Sequence, residues 1–381
     1  MICLVTHIVF NHHKEGDMRQ INELAKILKG PFPIDKRRVT FLAQVVLGLL
    51  QVCSVNLTQL ALGVATNQQA SSAYRRLRRL LSDLDVCPER IGCWLLSWFL
   101  PADEPLYLAI DRTNWQWGKA NINFLVIAVP YKRMAIPVAW ALLPKKGNSN
   151  PGERTVLLER LFRYLPKSRV QGILADREFV GKDWWHWLAA QELPFFIRVK
   201  DNLRVTRGRG GKGTLIRRLF EGLPRGHRQR LRDTYHVLGQ KVTLTGSRLI
   251  SGELMVIASS HRDRCAITAY LERWEIETLF ENLKSRGFDL EATHLTDLKK
   301  LERLLTLVAM AACWAYRVGE WRIEQGELIQ LKTHGRPSVS LFRHGLDALR
   351  LPLLRMTGWR SWKPLLQLWR ELTTPTPLLA L

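Results

Sequence analysis

The sequence is short of acid, of paired cysteines and of long apolar runs, and each shortage removes a class of function. Its six cysteines (Cys3, Cys53, Cys87, Cys93, Cys265 and Cys313) include no Cys-x-x-Cys pair, and Cys87 and Cys93 have no histidine or second pair to complete a zinc site. They read as reduced, buried thiols of a cytosolic protein. Ile2–Phe10 is apolar but too short for a bilayer and lacks the flanks of a signal peptide, and Leu304–Ala312 is short and bounded by charge. The expectation is a soluble cytoplasmic protein with no membrane partner. No phosphate-binding P-loop is present, because in Gly211-Lys212-Gly213-Thr214 a glycine separates the lysine from the threonine. No tandem repeat is evident.

Against only 34 Asp+Glu stand 57 Lys+Arg, a formal net charge of +23 over 381 residues. Such a surface attracts polyanions, and duplex DNA is the densest common one. Ribosomal RNA and acidic membranes are competing partners. With 46% hydrophobic residues and 14 tryptophans, the chain reads as a folded globular protein of more than one domain.

Residues 1–100 read as a helical DNA-binding region, broken by Gly30-Pro31-Phe32-Pro33. Leu57–Val64, a turn at Ala65-Thr66-Asn67, and Gln68–Leu81 read as helix, turn, helix. The second helix sets Arg75, Arg76, Arg78 and Arg79 opposite Ala73, Leu77, Leu80 and Leu81. That basic face fits a DNA groove, and equally an ordinary amphipathic helix.

From 101 to 200 the texture turns α/β. Leu106–Ile110 reads as a buried strand ending at Asp111. Phe124–Val129 and Ala135–Leu143 follow as strands, then a helix over Pro151–Leu165. Gln171–Ala175 reads as a strand ending at Asp176, Lys182–Gln191 as a helix and Pro194–Val199 as a strand. That order is the ribonuclease-H-like one, a mixed five-stranded sheet with flanking helices. Its first and fourth strands are neighbours, so the two aspartates would lie side by side at strand ends, where α/β sheets place their chemistry. Residues 201–261 read as a basic β-rich insertion with strands at Tyr235–Leu244 and Leu254–Ser259. The stretch 198–232 holds 12 Lys/Arg and 2 acids among several glycines, Gly210 included, and fits either a DNA-backbone tract or a solvated loop.

Residues 265–285 read as one patterned helix within a core segment at 262–300. Tyr270, Arg273, Glu277 and Lys284 fall three, four and seven apart, on one face at about 3.6 residues per turn. Alone, such a face reads as solvated charge pairs. After two strand-end aspartates in so basic a chain, it reads as the third part of a metal site. Phosphodiester cleavage by two metal ions needs carboxylates that hold the ions about 3.5–4 Å apart, and magnesium prefers such hard oxygen ligands. Residues 301–381 read as a helical tail, with Leu304–Trp314 packed on the sheet. Trp184, Trp185 and Trp187 read as packing residues before base-stacking ones.

These residues resemble a known family. Tyr270-x2-Arg273-x3-Glu277-x6-Lys284 is similar to the Tyr-Arg-Glu-Lys signature of insertion-sequence-4 family transposases. Asp111-Arg112-Thr113-Asn114-Trp115 and Ala175-Asp176-Arg177-Glu178-Phe179 resemble that family's first two acidic motifs, and Gly335–Arg343 resembles a stretch near its C-terminus. The resemblance implies that Asp111, Asp176 and Glu277 form a catalytic triad binding two Mg²⁺ ions, for which Mn²⁺ can substitute. It implies that Tyr270, Arg273 and Lys284 contact DNA, and that a homodimer acts on terminal inverted repeats and target DNA by cut-and-paste through a hairpin. Some relatives stack a flipped base on an insertion tryptophan. None occurs here between Trp187 and Trp274, leaving Tyr235 or Phe220 as substitutes. A catalytically idle DNA-binding relative and a nuclease without strand transfer are the alternatives. The location expected is the cytoplasm, at the nucleoid when bound to DNA.

Overall fold

A computed structural model describes residues 19–65, 69–208, 211, 213–261, 266–333, 335–354 and 359–373. Ile2–Phe10, Cys3, the turn residues Thr66 and Asn67, Gln68, Gly210 and Cys265 lie outside them. The chain divides into two compact units, one of residues 103–114 and 121–279, the other of residues up to 102, 115–120 and 280 onward.

The first unit is built on one sheet in the order β3-β2-β1-β4-β5-β10-β9-β8. Strands β1 (Leu106–Trp117), β2 (Ala120–Tyr131) and β3 (Met134–Leu143) form a meander. Its second turn is the pair Lys132-Arg133, both at positive φ. β4 (Val170–Ala175) pairs parallel to β1, and β5 (Phe195–Val199) parallel to β4. Helix α6 (Pro151–Leu161) crosses from β3 to β4 and α7 (Lys182–Ala190) from β4 to β5. Asn150 starts α6 with a reciprocal cap: its side chain accepts from the Glu153 N–H, and the Glu153 carboxylate accepts from the Asn150 N–H. This is the α/β, ribonuclease-H-like arrangement expected.

Three differences have physical causes. The strand expected over Tyr235–Leu244 is a hairpin of β8 (Arg228–Val237) and β9 (Gln240–Arg248). It turns at Leu238-Gly239, both at positive φ, a backbone that leucine rarely adopts and so does not advertise. β6 (Arg204–Val205) and β7 (Thr214–Leu215), followed by the short helix α8 (Ile216–Leu219), pair only with each other, whereas β10 (Leu254–Ser259) pairs antiparallel with both β9 and β5, so β8, β9 and β10 extend the core sheet from five strands to eight. β1 does not end at Asp111 but runs on to Trp117, seven residues past its last pair with β4, Ile110–Ala175.

The core of this unit is the apolar faces of these strands, with Trp140, Trp184 and Trp185 fully buried. Trp187 is half-buried and stacks on Trp184 at 5.6 Å. The packing reading of that cluster therefore holds.

The second unit is helical. A helix through 19–28 (α1) precedes α2 (Lys36–Val52), α3 (Leu57–Val64), α4 (Ala70–Asp83) and α5 (Pro88–Leu96). α11 (Leu298–Glu324) runs among α2, α4, α5 and α12 (Leu341–Leu354), with α13 (Trp359–Thr373) beside it. Leu304–Trp314 is thus the centre of a helical core. Gly319 and Gly345 let α11 and α12 meet backbone to backbone. A Cβ on Gly345 would collide with the Ala315 carbonyl, and one on Gly319 with that of Leu341. Among the described residues no single helix is long and apolar enough to cross a membrane; α2 and α3 reach that composition only together, bent by 111°.

Candidate active site

The register of β1 against β4 sets the first two acids. Ile110 pairs with Ala175, so Asp111 and Asp176 are the next residues on adjacent parallel strands. At Asp176 the chain leaves the sheet for a 3-10 turn, Arg177–Phe179, closed by the Phe179 N–H donating to the Asp176 carbonyl at 2.9 Å. Two arginines brace that turn. Arg112 bonds Glu178 at 2.8 Å and Asn148 at 2.6 Å. Buried Arg154 donates to Ser149 and to the Glu178 carbonyl, and lies over the Phe179 ring.

The third acid comes from a corner, not from the middle of one long helix. α9 (Ala266–Glu272) ends, and α10 (Glu275–Leu283) begins after Arg273 and Trp274. Bonds from Arg273 N–H to the Tyr270 carbonyl and from Ile276 N–H to the Arg273 carbonyl, three residues back instead of four, tighten the chain there. Glu275 fixes the corner by accepting from the Arg133 N–H at 2.9 Å.

The corner turns Tyr270 and Arg273 onto the acids. The Arg273 guanidinium, 4% exposed, donates to Asp111 at 2.9 Å and to Glu277 at 2.7 Å. The Tyr270 hydroxyl donates to Asp176 at 3.3 Å. Arg198, a lone cation in the apolar strand Phe195–Val199, stands 4.0 Å from Asp176 and binds Glu253. Asp111, Asp176, Glu277, Tyr270 and Arg273 are therefore one bonded cluster. Lys284 belongs to the helical unit, where it pairs with Glu291 at 2.6 Å; the break at Arg273-Trp274 ends the single face expected for the four residues. Arg75, Arg76, Arg78 and Arg79 are exposed on α4, opposite its buried Ala73, Leu77, Leu80 and Leu81. Arg76 lies 4.0 Å over the Phe41 ring.

Sequence reasoning missed Arg198, Arg112, Arg154 and Glu275. The signal for Arg198 was a charge in a buried strand, which requires a partner. Arg198 also lines a cleft of about 570 Å³ with Arg177, Lys200, Asp201, Arg217 and Glu253.

Burial pushes the Asp111 carboxyl up to about 6 despite the Arg273 charge beside it. Burial also pulls on Arg273, but Tyr270, Asp111 and Glu277 together raise it, so it stays charged. The two shifts point opposite ways for one ion pair, because three groups hold the arginine while burial costs Asp111 more than its single partner returns. Burial pushes Tyr270 up to about 12, keeping its hydroxyl a neutral donor. Since Asp111 is raised from 3.8, its contribution to stability is full below about pH 4 and lost as pH rises through about 6. The stability of Asp111→Asn relative to the parent is accordingly expected to rise as pH goes from about 4 to about 7. Urea melts across that range measure it; a difference independent of pH contradicts it.

The donor chemistry of the cluster suits a divalent cation, since three carboxylates offer hard oxygens. Its arrangement does not suit one as it stands. Among the described residues no three His, Cys, Asp or Glu side chains converge closely enough to hold an ion, and a guanidinium sits on two of the acids.

No curated protein matches the chain. Among solved structures, the piggyBac transposase synaptic complex with hairpin DNA is similar with a TM-score of 0.43 and 11% identity, over 96% of this chain and 83% of that one. The family described as "Transposase DDE domain" matches residues 103–314, from just before β1 through most of α11 and across every member of the acidic cluster. The chain belongs to the DDE-domain transposases.

Proposed function

We propose that this transposase is of the insertion-sequence-4 type, that Asp111, Asp176 and Glu277 are its catalytic acids, and that they take two Mg²⁺ ions, or Mn²⁺, as cofactor. The observation that carries the reading is that one Tyr-Arg pair at the α9–α10 corner is bonded to all three acids. Asp111 and Glu277, 166 positions apart in sequence, are joined through Arg273 in this cluster. When bound, the ions would activate the attacking oxygen and stabilise the leaving one.

The chain's own residues do the rest. Arg273 and Tyr270 set the acids in register and contact phosphates beside the scissile bond. Lys284 adds a cation to the DNA path. Arg177, Arg198, Lys200, Arg217 and Arg248 line one cleft with Asp201, Glu221 and Glu253, a net-positive groove suited to a strand leaving the cut. Arg75, Arg76 and Arg79 on α4 suit the terminal repeat, with residues 1–100 as the end-binding region and 301–381 as the tail where two copies meet. The substrate is duplex DNA, moved by cut-and-paste through a hairpin, in the cytoplasm at the nucleoid.

The test is a duplex carrying the terminal repeat read from DNA flanking the gene, labelled at each strand and incubated with protein, Mg²⁺ and a target plasmid. The reading expects a nick leaving a 3′-hydroxyl, a hairpin, and a joined product. Nicks without joining would indicate a nuclease, and binding without nicks an idle relative.

A further inference from the structure

Arg273 is an unusual feature of the cluster. It is nearly fully buried, yet its two terminal nitrogens are spent on two acids from different elements, Asp111 on β1 and Glu277 on α10. Its third nitrogen, Nε, is buried with no hydrogen-bond partner. A guanidinium settled for good would have its N–H donors on all three nitrogens satisfied, because a buried unpaired donor is costly. Arg273 instead meets the two acids and the Tyr270 ring, 5.6 Å away, and leaves Nε without a bond. Glu277 is more than half exposed, at 55%, so that end of the fork can open to water.

We infer that Arg273 is the resident counter-ion of the metal-free enzyme: it occupies the oxygens of Asp111 and Glu277 that a divalent cation needs, and must release them before a cation can load. This rests on the reading of Asp111, Asp176 and Glu277 as the metal-binding acids. The argument is one of charge. Three carboxylates brought together repel each other and resist burial, and some cation must offset them. In the structure Arg273 offsets Asp111 and Glu277, while Arg198 stands 4.0 Å from Asp176. A divalent ion and the guanidinium therefore compete for Asp111 Oδ2 and Glu277 Oε1. Arg273 lies at the break between α9 and α10, outside both helices, so its side chain can withdraw without unwinding either. Tyr270, bonded to Asp176 and not to the two bridged acids, keeps its place in both states. Arg273 is a positioning residue in this role, acting through the acids.

The experiment measures Mn²⁺ binding to the full-length protein without DNA, by electron paramagnetic resonance of the free ion, and the melting temperature with and without Mn²⁺. Arg273→Gln is expected to lower the metal-free melting temperature, to tighten Mn²⁺ binding about tenfold or more, and to enlarge the rise in melting temperature that Mn²⁺ produces. Arg273→Lys, which keeps the charge but loses the fork, should do the same to a smaller degree and serves if the glutamine variant does not fold. Unchanged or weaker Mn²⁺ binding in a folded variant overturns the inference. Asp111→Asn and Asp176→Asn separate the two claims. If they leave Mn²⁺ binding to the wild-type background intact, the acids are not the metal site, and both the reading and the inference fall. If they abolish it while Arg273→Gln leaves it unaltered, only the counter-ion role fails.

Discussion

Asp111→Asn, Asp176→Asn and Glu277→Gln are each expected to lower strand cleavage by at least about a thousandfold while binding a terminal-repeat duplex nearly as well as the parent. The size follows from the role. Each change removes one charged oxygen donor from a site whose chemistry needs all of them, a loss on the scale seen when one member of a cooperating catalytic unit is deleted. For the same reason the losses should not add: Asp111→Asn combined with Glu277→Gln should be about as inactive as either alone. Loss of cleavage in a variant that unfolds as cooperatively as the parent is not a folding defect. A gel of labelled duplex, with binding measured on the same samples, decides it, and normal cutting by any one variant removes that acid from the site.

Arg273→Met is expected to destabilise the metal-free protein by about 3–5 kcal/mol at pH 7, the scale for stripping the partner from a buried charge. Asp111 would then sit 17% exposed beside no opposite charge. Much of the deficit should disappear below about pH 6, where Asp111 can take up a proton, and much of it in the double variant with Asp111→Asn. A double-mutant cycle in urea isolates the coupling. If Arg273→Met unfolds at the parent's midpoint, the ion pair contributes nothing to stability.

The sheet order and its first two acids were legible because apolar runs ending in aspartate are local signals, as Leu106–Asp111 and Gln171–Asp176 show. The paired register of Ile110 and Ala175 then follows from parallel neighbours. The corner at Arg273-Trp274 was not legible. No glycine or proline marks it, and helical periodicity runs straight through; what accompanies the break is a tertiary ion pair to a residue 162 positions away. The hairpin at Leu238-Gly239 escaped for a related reason, since a leucine at positive φ is held by its surroundings and not by its own preference. Arg198 and Arg154 were hidden among many arginines. A count of charges points to a polyanionic partner, but only burial says which arginines the fold holds to its own groups, Arg198 to carboxylates and Arg154 to Ser149 and the Glu178 carbonyl.

The most direct measurement is anomalous diffraction from crystals of the protein bound to its DNA end and soaked in Mn²⁺. The account predicts peaks within coordinating reach of carboxylate oxygens from Asp111, Asp176 and Glu277 together, with the Arg273 side chain withdrawn from Asp111. Peaks ligated elsewhere, or a guanidinium still joining Asp111 to Glu277 in the metal-loaded complex, would contradict it.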